Sequence, residues 1–163
     1  MEYTGNITWD QSSGTDKFIH YSFNPADVDG GEKRIHPKNF PEGSGMRRVV
    51  TPSDKSCRAG FTKLGPGKKI RPWFFWYKEL WHIVSGTGEV KVHDKRTGDK
   101  QTVQFKPGDL LYYPEGVFID VTNTGEEDLT FLYVAVPASH FYASWLPFME
   151  PEDLEAVQRR EGD

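Results

Sequence analysis

The chain holds a single cysteine, Cys57, and only five histidines among its 163 residues. One cysteine cannot close an internal disulfide, and without a second it cannot build a thiolate metal cluster. We read Cys57 as an ordinary strand residue. No apolar run approaches the ~18–20 residues that a membrane helix needs, and the opening MEYTGNITWD lacks the basic and apolar regions of a signal peptide. A cytoplasmic protein with no membrane partner is the expectation. Positive charge is also short: 20 Lys and Arg face 24 Asp and Glu, a formal net charge of -4. Counterion-release binding needs a basic surface, so no nucleic-acid partner is expected.

What the chain has in excess is aromatic: 11 Phe, 7 Tyr and 5 Trp, while hydrophobic residues as a whole reach only 36%. Disordered chains are poor in aromatics, so this composition argues for a folded core concentrated in particular segments. The length fits one domain.

Residues 1–46 are rich in Gly, Pro, Asp and Lys and hold no periodicity for long, which predicts an extended arm with one short strand near 18–23. Over 47–137, short β-branched and aromatic runs alternate with turn signals every eight to twelve residues, the pattern of an all-β sandwich or small barrel. Strands are expected at 47–51, 58–64, 79–84, 89–93, 102–105, 110–113, 117–123 and 130–136. Ser85-Gly86-Thr87-Gly88 and the run from Asp94 to Asp99 read as hairpin loops. Pro114-Glu115-Gly116 fits a type I turn. The extension over 138–163 carries Pro151 and acidic residues in the first turn of a short helix, with Arg159 and Arg160 at its end.

Two spacings carry a resemblance. Gly67, Glu79 and Gly86 stand at the intervals of one motif, and Gly108, Pro114, Gly116 and Asn123 at those of a second. With these seven positions in register, the segment 67–123 resembles the cupin superfamily. The fold this implies is a double-stranded β-helix, a jelly-roll barrel, here with an N-terminal arm and a short C-terminal helix. In that family two His and a Glu of the first motif and one His of the second bind a divalent metal inside the barrel. At the corresponding positions this chain has Trp73, Phe75, Glu79 and Ile119. One carboxylate among aromatic and aliphatic groups cannot supply the three or four ligands of a catalytic metal, so neither metal nor other cofactor is expected. Nor does His82 restore one, because strand alternation puts Glu79, Trp81 and Ile83 on one face and His82 on the other. His82 is read instead as a hydrogen-bonded residue under the arm or at a dimer interface.

If the family geometry holds, Trp73, Phe75, Glu79, Trp81 and Ile119 converge on the interior. Either these side chains form a solid core, or they wall an apolar pocket of the kind that takes small molecules. Glu79 has two readings of its own. Pairing with Arg71, Lys69 or Arg58 would lower its pKa, whereas burial in an apolar pocket would raise it and make it a general acid or base. Arg71, expected by parity on the face of Trp73 and Phe75, and the phenols of Tyr112, Tyr113 and Tyr133 are candidate stabilisers of an oxyanion.

Three functions follow. The first is a metal-independent cupin that holds a small apolar or aromatic metabolite with Trp73, Phe75, Trp81, Ile119 and Tyr112. It would catalyse isomerisation, dehydration or cyclisation with Glu79 and Arg71. The second is a ligand-binding or sensory cupin without chemistry. The third is a metal-dependent dioxygenase, cyclase or lyase with atypical ligands. The resemblance also implies a homodimer formed through the outer face of the barrel.

Overall fold

The computed structural model describes residues 44–50, 56–75 and 77–136. Nearly all of the expected arm, with its strand near 18–23, and the extension with its helix lie outside these residues. Nine strands form two antiparallel sheets: β1 (Gly45–Val50), β2 (Arg58–Leu64), β3 (Lys69–Phe75), β4 (Lys78–Ser85), β5 (Gly88–Asp94), β6 (Lys100–Phe105), β7 (Leu110–Tyr113), β8 (Val117–Asn123) and β9 (Leu129–Val136). One sheet runs β1-β2-β9-β4-β7 and the other β3-β8-β5-β6. This is the expected all-β jelly roll. Cys57 falls just outside β2 and is half-buried.

Each sheet turns one face to the common interior. In β4 alternation buries Glu79, Trp81 and Ile83 and leaves His82 and Val84 exposed; in β8 it buries Val117, Ile119, Val121 and Asn123. Between the sheets Leu64, Ile83, Val90, Val121, Leu129 and Phe131 are all but sealed from solvent. Each such side chain contributes roughly 1.5–3 kcal/mol of apolar burial.

β3 was not expected as a strand. Its sequence, KIRPWFF, contains a proline and a continuous aromatic run, both of which hide a period of two. The strand forms because it is the edge of its sheet, where Pro72 need not donate to a ladder. Its pairing with β8 shifts between Ile70 and Trp73. Ile70, Trp73 and Phe75 therefore all pack on the core, although the first two are three residues apart.

The chain changes sheets where the two spacings put their glycines. Gly67 joins β2 to β3, Gly86 joins β4 to β5, Gly108 joins β6 to β7 and Gly116 joins β7 to β8. All four have positive φ, between 65° and 90°. Only glycine adopts that conformation freely. Asn123, fully buried, pins another corner: Nδ2 donates to the carbonyls of Leu64 and Glu127 at 2.8 Å each, and Oδ1 accepts from the Gly125 amide at 2.9 Å.

Gly86 is a tighter corner than Gly67 or Gly108, where an added Cβ would meet nothing within 4 Å. A Cβ at Gly86 would lie 2.6 Å from the Asp128 carbonyl oxygen and 2.7 Å from the Leu129 Cα, whereas one at Gly98, also at positive φ, would meet nothing within 4 Å. Gly98→Ala is expected to cost only the left-handed penalty, about 1–2 kcal/mol, and Gly86→Ala distinctly more, because backbone must move. Urea unfolding of the two variants compares them; equal losses would refute the tight corner.

Candidate functional site

The polar part of the interior lies on one cross-strand row. Arg58 on β2 is opposite Ala135 on β9, Ala135 is opposite Glu79 on β4, and Glu79 is opposite Tyr113 on β7. The next row is Gly60, Tyr133, Trp81 and Leu111. Successive strands are ~4.8 Å apart, so long side chains from one row reach each other over the small residue between them.

Glu79 is 8% exposed, and its Oε1 accepts a 2.6 Å hydrogen bond from Trp81 Nε1. An indole can only donate, so the bond satisfies a buried N–H and orients the carboxylate at once. Among the described residues Arg58 is a positive charge that interacts with Glu79. Burial works against its guanidinium, yet Tyr77 and Glu79 beside it, with Tyr133, hold its pKa above the ordinary value. The guanidinium lies 4.4 Å from the centroid of the Tyr77 ring, a cation–π contact. The Tyr77 hydroxyl accepts a 3.2 Å bond from Trp73 Nε1.

Tyr113 is 3% exposed, and its hydroxyl has no hydrogen-bond partner among the described residues. Burial, together with the charge of Glu79, pushes its pKa well above the ordinary value, so the phenol stays a neutral donor. Around these groups the rings pack on one another. Trp81 stacks on Phe131 with centroids 4.0 Å apart, Phe75 stacks on Tyr113 at 5.0 Å, and Trp81 meets Tyr113 edge-on at 4.8 Å.

Of the residues singled out in the sequence, Glu79, Trp81, Phe75 and Ile119 are buried in the interior and Trp73 packs half-buried against it. Tyr112 is corrected: it is 57% exposed on the outer face, because β7 pairs Glu79 with Tyr113 and Leu80 with Tyr112. Its neighbour Tyr113 takes the inward place. Arg71 belongs to β3, but its side chain lies outside the described residues; the register shift beside it interrupts the parity on which its expected face rested. Among the described residues Arg58, one of three weighed as the ion-pair partner of Glu79, is a cation whose charge interacts with that carboxylate. The pairing β2-β9-β4, which joins segments far apart in sequence, puts it on the same row. His82 is exposed.

The residues do not fit the metal that the fold family implies. Trp73, Phe75 and Ile119 have no lone pair to offer a cation, and Glu79 Oε1 already accepts from Trp81. Among the described residues no group of three or more His, Cys, Asp or Glu is placed to hold a metal ion.

An antiparallel jelly roll whose described interior carries the Glu79 carboxylate beside aromatic rings defines a barrel of the cupin type. Comparison agrees. A family model described as the cupin domain matches residues 60–135, and this barrel is a domain of the cupin superfamily. The Cupin 2 conserved barrel domain protein of Salinispora arenicola is similar with a TM-score of 0.55 at 15% identity, over 88% of this chain and 99% of that one. The cupin domain of Schizosaccharomyces pombe Cnp3 is similar with a TM-score of 0.52 at 18% identity, over 77% of each chain. BH2720 of Bacillus halodurans is similar at 0.53 and 16%, over 70% of this chain and 89% of that one. At these identities the likeness concerns the fold. No curated protein matches the sequence. Among the described residues no helix is long and apolar enough to cross a membrane.

Tyr113 gives this site a pH signature. Its folded pKa is raised, so above pH ~10 the unfolded chain loses this proton while the folded chain keeps it. The folded state then binds more protons, and stability falls as pH rises, by up to about 1.4 kcal/mol per pH unit from this group until its folded pKa is reached. Below pH ~10 the contribution is fully present. Tyr113→Phe is expected to flatten the loss of stability between pH 10 and 11.5 in urea unfolding; an unchanged slope would show that the phenol ionises normally.

Proposed function

We propose that the protein is a metal-independent cupin that binds a small apolar or aromatic carbonyl compound and moves a proton on it. The observation that carries this reading is the Tyr113 hydroxyl, buried opposite Glu79 without a hydrogen-bond partner among the described residues. A buried donor left unpaired costs about 1–3 kcal/mol, which a ligand oxygen would recover. The chemistry needs two groups. Glu79 takes a proton from the carbon beside the carbonyl, the C–H electron pair moves onto the carbonyl oxygen, and Tyr113 donates a hydrogen bond to that oxygen. Return of the proton to the same or a conjugated carbon completes an exchange or an isomerisation with no oxidant or reductant. Trp81 holds the carboxylate, and Trp73, Phe75 and Ile119 exclude water.

A second reading is binding without chemistry. Its support is the packing of Trp81, Phe131, Phe75 and Tyr113 on one another, which suits recognition by burial.

Proton NMR in deuterium oxide separates the two. With a panel of aryl and alkyl ketones and oxo acids, wild type is expected to wash deuterium into the carbon beside the carbonyl. Glu79→Gln should lower the rate by about 10²–10⁴-fold and Tyr113→Phe by about 10²-fold. Binding without exchange would support the second reading; exchange unaffected by Glu79→Gln would remove Glu79 from the mechanism.

The outer face of the same sheet supports a homodimer. Tyr112, Leu80 and Val134 form one outward row and Leu110, His82 and Leu132 the next, and Leu110 and Tyr112 are 61% and 57% exposed. The half-buried β2 residues Ala59 and Phe61 continue these rows, so among the described residues a largely apolar face crosses four strands. The proposed occupant is a second copy related by a two-fold axis. Light scattering should find a dimer for wild type and a monomer for the double variant Leu110→Lys, Tyr112→Lys; a monomeric wild type would remove the proposal.

A further inference from the structure

Arg58 stands at one end of the polar row and Tyr113 at the other. A guanidinium carries five N–H donors in a planar fork that matches a carboxylate. In this fold its face lies against the Tyr77 ring and it hydrogen-bonds to Tyr77. The ion pairs within 4.0 Å among the described residues do not include it. Among the described residues its hydrogen-bond partner is Tyr77, no nitrogen of the fork is buried without a partner, and the stacking ring fixes the plane in which the donors point. Between Arg58 and Glu79 the row carries only the methyl group of Ala135. A larger residue there would fill the space above β9 between the β2 and β4 backbones, which lie roughly 9–10 Å apart across two strand spacings.

We propose that Arg58 anchors the carboxylate of an organic monocarboxylate whose apolar or aromatic body lies along the Trp73, Phe75 and Trp81 wall. The inference rests on the site described under the proposed function and names its substrate class. Among the described residues the charges favour a monoanion. Arg58 is the cation on this row, while Lys69 is paired with Asp120 at 2.7 Å and Lys63 with Asp128 at 3.6 Å. A second negative group on the ligand would meet Glu79 instead. The order along the row then matches a carboxylate at Arg58, a carbon whose proton faces Glu79, and an oxygen at Tyr113.

Matched probes test this by calorimetry: 3-phenylpropanoate against 3-phenylpropanamide, and 4-methylpentanoate against its amide. Wild type is expected to bind each acid at least about tenfold more tightly than its amide, the scale of one charge-assisted pair. Arg58→Gln should bring acid and amide within about twofold, and Arg58→Lys should keep part of the difference, since it retains charge without the fork. The wild-type comparison needs no variant, so it decides even if Arg58→Gln does not fold. Equal binding of acid and amide, no binding of either, or an acid preference that survives Arg58→Gln would each overturn the assignment. Failure of the proton-transfer reading is distinguishable: acid preference without deuterium exchange leaves Arg58 as the anchor and removes only the chemistry, whereas exchange on neutral ketones with no acid preference removes only the anchor.

Discussion

A carboxylate inside an aromatic barrel is the constraint around which this interior is arranged. An ionised group taken from water loses several kcal/mol of solvation unless the protein replaces it. Among the described residues, contributions come from at least two directions. The Trp81 indole donates to Glu79 from two residues along the same strand, and the Arg58 guanidinium contributes charge from two strands away. Neither would serve without the other elements. Trp81 is held flat by Phe131 and edge-on by Tyr113, and Arg58 rests on the Tyr77 ring. Removing any of these rings would therefore loosen the electrostatics of the site as well as its packing.

The corners are a second constraint, independent of the first. Two sheets can share one interior only if the chain passes repeatedly from one to the other, and each passage demands a conformation that most residues resist. Gly67, Gly86, Gly108 and Gly116 supply it with positive φ, and Asn123 ties three backbone groups of another corner together. These are the positions on which the resemblance to cupins rests, and their work is architectural. That explains how the spacing persists in a chain whose three other metal positions are Trp73, Phe75 and Ile119. The fold depends on the corners, not on a metal.

The same distinction explains what could be read from the residues alone. Eight strands were legible because alternation and turn residues are local signals. β3 was not, since Pro72 and the run Trp73-Phe74-Phe75 erase the period that an edge strand with a register shift does not need. Inward positions on β4 and β8 followed from parity, and Glu79, Trp81 and Ile119 lie where parity puts them. The choice between Tyr112 and Tyr113 needed the β4-β7 register, in which Glu79 faces Tyr113. Arg58 could be named only as one of three possible partners for Glu79, because its place beside Ala135 depends on β2 pairing with a strand some seventy residues later. Long-range pairing has no local signal.

Side chains without lone pairs at three of the four family metal positions change more than the ligand count. In a metal-binding cupin the cation sits at the centre of its ligands and neutralises the carboxylate there. In this chain the positive charge is on Arg58, at the start of β2, and reaches Glu79 across Ala135. The field across the interior is therefore directional, running from a cation at one end of the row, past the carboxylate, to a neutral phenol at the other. A symmetric charge at the centre activates whatever oxygen binds it. A directional one orients a ligand with unlike ends, and that is the physical ground for reading the row as a recognition site for a molecule with an acid group at one end and an apolar body behind it.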